Sequence, residues 1–296
     1  MTKKGFIKYL VFAFGIAWIL QVIACILYLN GNYSAYQVIL SVSMFVPLLA
    51  VILSGNSIKN LGWKTKLKGN WKRVFLAWLG PSIIGALGAV IYFLIFPSRF
   101  DLSGEYLIAQ GGETFVTSLE ASGMSMTTYL ISQISASIIT APLFNMVFAV
   151  GEEAGWRGTM YPYLQDKLGY QKGTILGGVI WGIWHWPLML LVGYEYGTAY
   201  WGAPVLGMLL FCVITTAMGV LFDYLYKKTH NIWIPALAHG AINAFAGIPL
   251  LFLKVAYFDQ LTLGPAMVGI IGGLPLIMVA VWILSGKISK EKGKVS

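Results

Sequence analysis

The sequence predicts an all-α, polytopic membrane protein of about eight transmembrane helices. Composition is the first reason. Of 296 residues, 58% are hydrophobic and 10% charged, against roughly 25% charged in soluble domains, and the mean hydropathy is +0.75. Too little polar surface remains to clothe a soluble globule, which excludes a cytosolic enzyme, a secreted domain and a disordered segment. The second reason is recurrence: apolar runs of about 20 residues follow one another, each sufficient for a hydrocarbon core roughly 30 Å thick. The third is charge. When the runs alternate in direction, all of the 20 basic residues except Arg99 and Lys254 fall on the side holding both termini. The positive-inside rule makes that side cytoplasmic.

The first span, 9–29, follows Lys3, Lys4 and Lys8 much as a signal peptide would, and Val22-Ile23-Ala24-Cys25 loosely resembles a lipoprotein cleavage site. The apolar run continues through Ile26, Leu27, Tyr28 and Leu29 with no polar tether, so it reads as an uncleaved helix. The second and third spans, 36–54 and 74–96, are joined by Lys59, Lys64, Lys66, Lys68, Lys72 and Arg73. The outer segment 97–127 carries Asp101, Glu105, Glu113 and Glu120 and reads as a soluble loop, with a cap as the alternative. The fourth span, 128–150, ends ahead of Arg157, Lys167 and Lys172, and the fifth is 174–193. The sixth, 202–222, precedes Lys227 and Lys228. The seventh is 232–253, and the eighth, 261–285, leads into Lys287, Lys290, Lys292 and Lys294. Omitting one span would reverse every later charge, so count and charge support each other.

The chain divides into 1–127 (three helices and the outer loop), 128–253 (helices four to seven) and 254–296 (the last helix and a basic cytoplasmic tail). Cytoplasmic lysines facing anionic headgroups account for the formal charge of +9, and no nucleic acid is needed. Cys25 and Cys212 both lie in apolar runs, which excludes a disulfide framework or zinc ribbon. Gly178 and Gly182 have the small-xxx-small spacing of close helix approach. No internal repeat of the transporter kind is visible.

Ionisable groups within spans are costly and point to function. Three segments hold nearly all of them. In Gly151-Glu152-Glu153-Ala154-Gly155-Trp156-Arg157, Glu153 and Arg157 are one helical turn apart and can pair. Glu152 is rotated about 100° away, toward another helix, with Asn145 on its face two turns deeper. In Trp181-Gly182-Ile183-Trp184-His185-Trp186-Pro187, His185 lies ~16 Å from the cytoplasmic end, beside a proline that interrupts the helix. In the seventh span His239 and Asn243 share a face, ~12 Å below the same surface. Each segment alone also fits a packing or ion-pairing role. Together, in the inner half of the bilayer, they fit a catalytic constellation or an ion relay. His230, after Lys227 and Lys228, reads as a solvated interfacial residue.

At these segments the chain resembles the CPBP family of intramembrane proteases, which includes the type II CAAX prenyl endopeptidases and the lysostaphin-resistance and bacteriocin-processing group. The family pattern appears in order, one motif per helix: Glu152-Glu153-xxx-Arg157, Trp181-xxx-His185 and His239-xxx-Asn243. Trp181 stands where phenylalanine is commoner. The resemblance covers about 128–250 and implies a membrane-embedded cavity, expected to open toward the cytoplasmic side.

The resemblance implies an endopeptidase acting on a membrane-associated or lipidated peptide or a CAAX-like protein terminus. Glu152 suits the general base, its pKa raised by an apolar setting. His185 would share the water and protonate the leaving amine; His239 and Asn243 would bind the oxyanion. Glu153, Arg157 and Trp181 would support them. No metal is assigned or required; a zinc alternative would use Glu152, His185 and His239. A non-catalytic peptide-binding or bacteriocin-immunity protein and an ion-coupled transporter remain as other readings. The expected location is the plasma membrane of a bacterium, with both termini cytoplasmic.

Overall fold

The computed structural model describes residues 1–65 and 67–286. Lys66 and the tail lysines Lys287, Lys290, Lys292 and Lys294 lie outside the described residues. Helices supply the regular structure there, apart from one isolated antiparallel bridge between Phe100 and Leu253. Among the described residues five helical stretches are long and apolar enough to cross a membrane, and up to seven if each of two bent pairs counts as one span. The chain is an integral, multi-pass membrane protein.

The first span is one helix, α1 (Lys3–Leu29), capped by the Thr2 side chain accepting from the Gly5 amide. The second is a pair, α2 (Tyr33–Ser43) and α3 (Val46–Leu53), bent by 42° where Pro47 opens α3. The third is α4 (Trp71–Ile95). The acidic segment read as a loop instead forms α5 (Glu105–Ala121), interrupted by Gly112 at φ 58°. Asp101 starts it, accepting the Glu105 amide at 2.9 Å, and these hydrogen bonds hold its carboxyl below the usual range.

The fourth span departs most from the sequence reading. It begins as α6 (Met126–Ile139), bends by 45°, and continues as α7 (Ala141–Gly155), a π-turn (Trp156–Met160) and α8 (Tyr161–Leu168). It therefore does not end at residue 150. Charges at 152, 153 and 157 looked like a membrane boundary, yet all three side chains are buried inside the bundle. Arg157 accordingly leaves the set of charges expected on the side of the termini.

α9 (Tyr170–Trp184) and α10 (Trp186–Val192) form the fifth span, broken at His185 where Pro187 begins the second piece. The sixth and seventh are α11 (Val205–Thr229) and α12 (Trp233–Phe245), the latter followed by a 3₁₀ turn at Ile248–Phe252. The expected eighth span is only partly helical. α13 covers Leu274–Leu284, 11 residues or about 16 Å at 1.5 Å per residue, roughly half the hydrocarbon core. Residues 261–273 are a series of turns packed inward, where the Val268 carbonyl accepts the Tyr196 hydroxyl at 2.7 Å. An apolar run buried in protein has the same composition as one facing lipid, which is why periodicity did not separate them.

The small-residue spacing in α9 serves close packing. A Cβ at Gly178 would lie 2.3 Å from the Thr216 Cα, and one at Gly182 2.8 Å from the Cys212 Cα, both on α11. Gly178→Ala must therefore push the helices apart. We expect a loss of about 1–3 kcal/mol, read as a lower unfolding temperature in detergent; an unchanged temperature would refute this account of the contact.

Candidate active site

α7, α9 and α12 bring the three polar segments to one cavity of about 360 Å³. Glu152, His185, His239 and Asn243 all line it, and Asn145 joins them from two turns along α7, as its spacing with Glu152 implied. Glu153 and Arg157 lie behind this wall, fully buried.

Glu152 is 2% exposed. Its Oε2 accepts two indole N–H groups, from Trp181 at 2.7 Å and Trp156 at 3.1 Å. These donors fix the carboxylate and leave Oε1 for a ligand or water. Trp181 was expected as support; Trp156 was not, although it follows Glu152 by one helical turn.

Glu153 joins two motifs. Its Oε2 stands 3.0 Å from Arg157 Nε, and its Oε1 2.9 Å from His239 Nδ1. The Arg157 guanidinium is also enclosed by rings, with its central carbon 4.3 Å from the Trp181 centroid, 4.9 Å from Phe222 and 5.0 Å from Tyr161. Aromatic faces attract a desolvated cation. The His239 ring lies between Phe222, stacked at 5.4 Å, and Trp181, edge-on at 5.3 Å. With Nδ1 turned to a carboxylate, the ring presents Nε2 to a ligand.

The helix break at His185 has a local use. His185 Nδ1 lies 3.0 Å from the Trp181 carbonyl, so it carries the proton that donates to that oxygen. In the neutral ring this leaves Nε2 as an acceptor. Trp184, Phe211 and Tyr194 enclose the imidazole, Tyr194 stacked nearly parallel at 6.2 Å and 7°.

The remaining cavity lining includes Tyr36, Gln37 and Ser41 along α2, and Tyr194 and Glu195 after α10. α2 begins where α1 ends, at the end of the bundle away from Lys3. Toward the lysine-rich side the buried Trp156, Arg157 and Tyr161 fill the bundle. Tyr194 and Glu195 had escaped the sequence reading. The available signal was a carboxylate in Gly193-Tyr194-Glu195-Tyr196-Gly197, directly after a span. Asp223, also unremarked, is buried and takes a hydrogen bond from Gln165 at 3.0 Å with Lys227 3.7 Å away, a structural arrangement outside the cavity.

Zinc by Glu152, His185 and His239 was the alternative. Among the described residues no three His, Cys, Asp or Glu side chains gather as a metal site. Each of these three has one ring nitrogen or carboxylate oxygen held by a protein partner, which leaves Glu152 Oε1 and the two histidine Nε2 atoms able to bind water or a ligand.

The likenesses to known proteins fall on the same region. The family described as type II CAAX prenyl endopeptidase Rce1-like matches residues 133–245, which include every motif of this cavity. CAAX prenyl protease 2 of Methanococcus maripaludis is 25% identical over 239 residues, 79% of this chain and 81% of that protein. A Bacillus subtilis relative named membrane peptidase YdiL is 26% identical over 196 residues, 66% of this chain and 67% of that one. Over residues 133–245 the chain is thus similar to the Rce1-like type II CAAX prenyl endopeptidase family, the CPBP group of membrane proteases.

Proposed function

We propose that this protein is an intramembrane endopeptidase that hydrolyses a membrane-associated peptide or a CAAX-like protein terminus with a water activated by Glu152. The observation carrying this reading is the Glu152 carboxylate, held at the cavity wall by two indole donors and left with one free oxygen. Glu152 takes the water proton as the oxygen attacks the peptide carbonyl. The His185 Nε2 accepts a hydrogen bond from the second proton of that water; as the tetrahedral intermediate collapses and the C–N bond breaks, this proton passes through Nε2 to the leaving amine, and Glu152 then releases its own. His239 and Asn243 face the developing oxyanion. Because His239 Nδ1 donates to Glu153, an Nε2–H donor as well requires a protonated ring, whose charge Glu153 offsets.

No metal takes part in this scheme. The test is hydrolysis of a quenched fluorescent, membrane-anchored peptide library by the purified protein, with and without a chelator. Cleavage that resists the chelator is the expected result. Loss of cleavage with restoration by zinc would overturn the metal-free scheme, and no cleavage of any peptide would favour a binding or immunity protein.

A further inference from the structure

Glu195 is the second carboxylate of the cavity and has no part in the chemistry above. Its backbone is unusual. Glu195 has φ 70°, one of two non-glycine residues among those described in the left-handed region, a conformation that residues with a Cβ rarely adopt. Such strain persists only where the surroundings enforce it. Here they do. The Gly193 carbonyl accepts from Gly197 at 2.7 Å and Tyr196 at 3.2 Å, the Tyr194 amide donates to Leu188, and the Tyr196 hydroxyl is anchored on Val268. Gly193 is itself left-handed, φ 67°, and a Cβ there would lie 2.4 Å from the Gly197 carbonyl carbon. A pinned turn thus delivers one carboxylate to the cavity.

No lysine or arginine lines that cavity. Among the described residues Glu195 has no cationic partner within ion-pair distance. The neighbouring Tyr194 hydroxyl is its interacting group, and burial pushes the Glu195 carboxyl above the usual range. A half-buried carboxylate without a counter-charge is unfavourable in the empty protein and favourable once a cation arrives. The other face of Tyr194 lies on His185, so this carboxylate stands one ring away from the reacting groups.

We infer that Glu195 is a specificity-determining residue, forming an acidic subsite that takes a lysine or arginine side chain of the peptide to be cleaved. The inference rests on the protease reading for its biological sense, but the subsite is a binding property and is measurable by itself. Tyr194 sets the distance between the subsite and His185, and Gln37 and Ser41 of α2 supply neutral polar groups to the same lining.

The experiment uses the purified full chain and membrane-anchored fluorescent peptides carrying lysine, norleucine or glutamate at each position in turn. Binding is measured on Glu152→Gln protein, where no cleavage complicates it, and kcat/KM on protein with Glu152 intact. Lysine is expected to be preferred over norleucine at one position. Glu195→Gln should lower that preference about 10- to 100-fold, chiefly through KM, as for removal of one partner of a desolvated charge pair. Glu195→Lys should turn it toward the glutamate peptide. A merely structural Glu195 would weaken all peptides alike and leave the ratio unchanged, which would overturn the inference. Lysine-selective binding without cleavage would uphold the subsite and count against the protease; cleavage without lysine preference would do the reverse.

Discussion

In Glu152→Gln protein, peptide cleavage is expected to fall by about 10³-fold, within the range typical of lost general-base catalysis, while the protein stays folded. The substitution keeps the shape of the side chain. A glutamine oxygen can still accept from Trp181 at the place where Oε2 accepts now, 2.7 Å away. What disappears is the capacity to take a proton from water. The expected signature is thus a collapse in kcat with little change in peptide binding or in unfolding temperature. Retained cleavage would remove Glu152 from the mechanism, and a matching loss of stability would move its role from chemistry to packing.

The largest effect on stability is expected at Arg157. Its pair with Glu153 at 3.0 Å has both side chains at 0% exposure. Removing one member of such a pair strands the other, which typically costs 3–5 kcal/mol. Arg157→Met should therefore lower the unfolding temperature sharply and release the carboxylate that orients His239. The double substitution Glu153→Gln with Arg157→Met removes both charges together and should recover much of the lost stability, though not activity, since His239 loses its carboxylate. A thermal-unfolding double-mutant cycle measures the difference. Additive losses from the two changes would mean that the pair is not coupled. The guanidinium Nη atoms find no hydrogen-bond partner, and the three rings around the group are the compensation available to them.

Much of this site was legible because helical spacing is rigid. Glu153 and Arg157, one turn apart, do pair, and Glu152, turned away from them, does meet α9 through Trp181. Asn145 and Asn243 reached the cavity by the same reasoning. The proline at 187 correctly placed a helix break, although its consequence, a carbonyl offered to the His185 ring, depends on a side-chain rotamer that spacing does not encode. The failures share another cause. Hydropathy treats a charge as the edge of a span, so the fourth helix was cut short at its most important residues. It treats an apolar run as lipid-facing, so 261–273 was taken for a membrane helix. Glu195 depends on a turn whose backbone angles are set by distant contacts, and the carboxylate between aromatic residues after a span is a weak local sign of it.

The π-turn at Trp156–Met160 bears on how this stretch can change in length. A π-turn is a helix carrying one residue too many. Deleting a residue such as Gly158 would let the chain relax to a regular helix, and because the wide turn had already absorbed that residue, the segment after it would face nearly as before. Tyr161 would keep its ring against the backbones of Gly177 and Gly219. In a regular helix the same deletion would turn everything after it by about 100°. The stretch between Glu153 and Tyr161 therefore tolerates the loss of one residue better than the regular helix on either side of it.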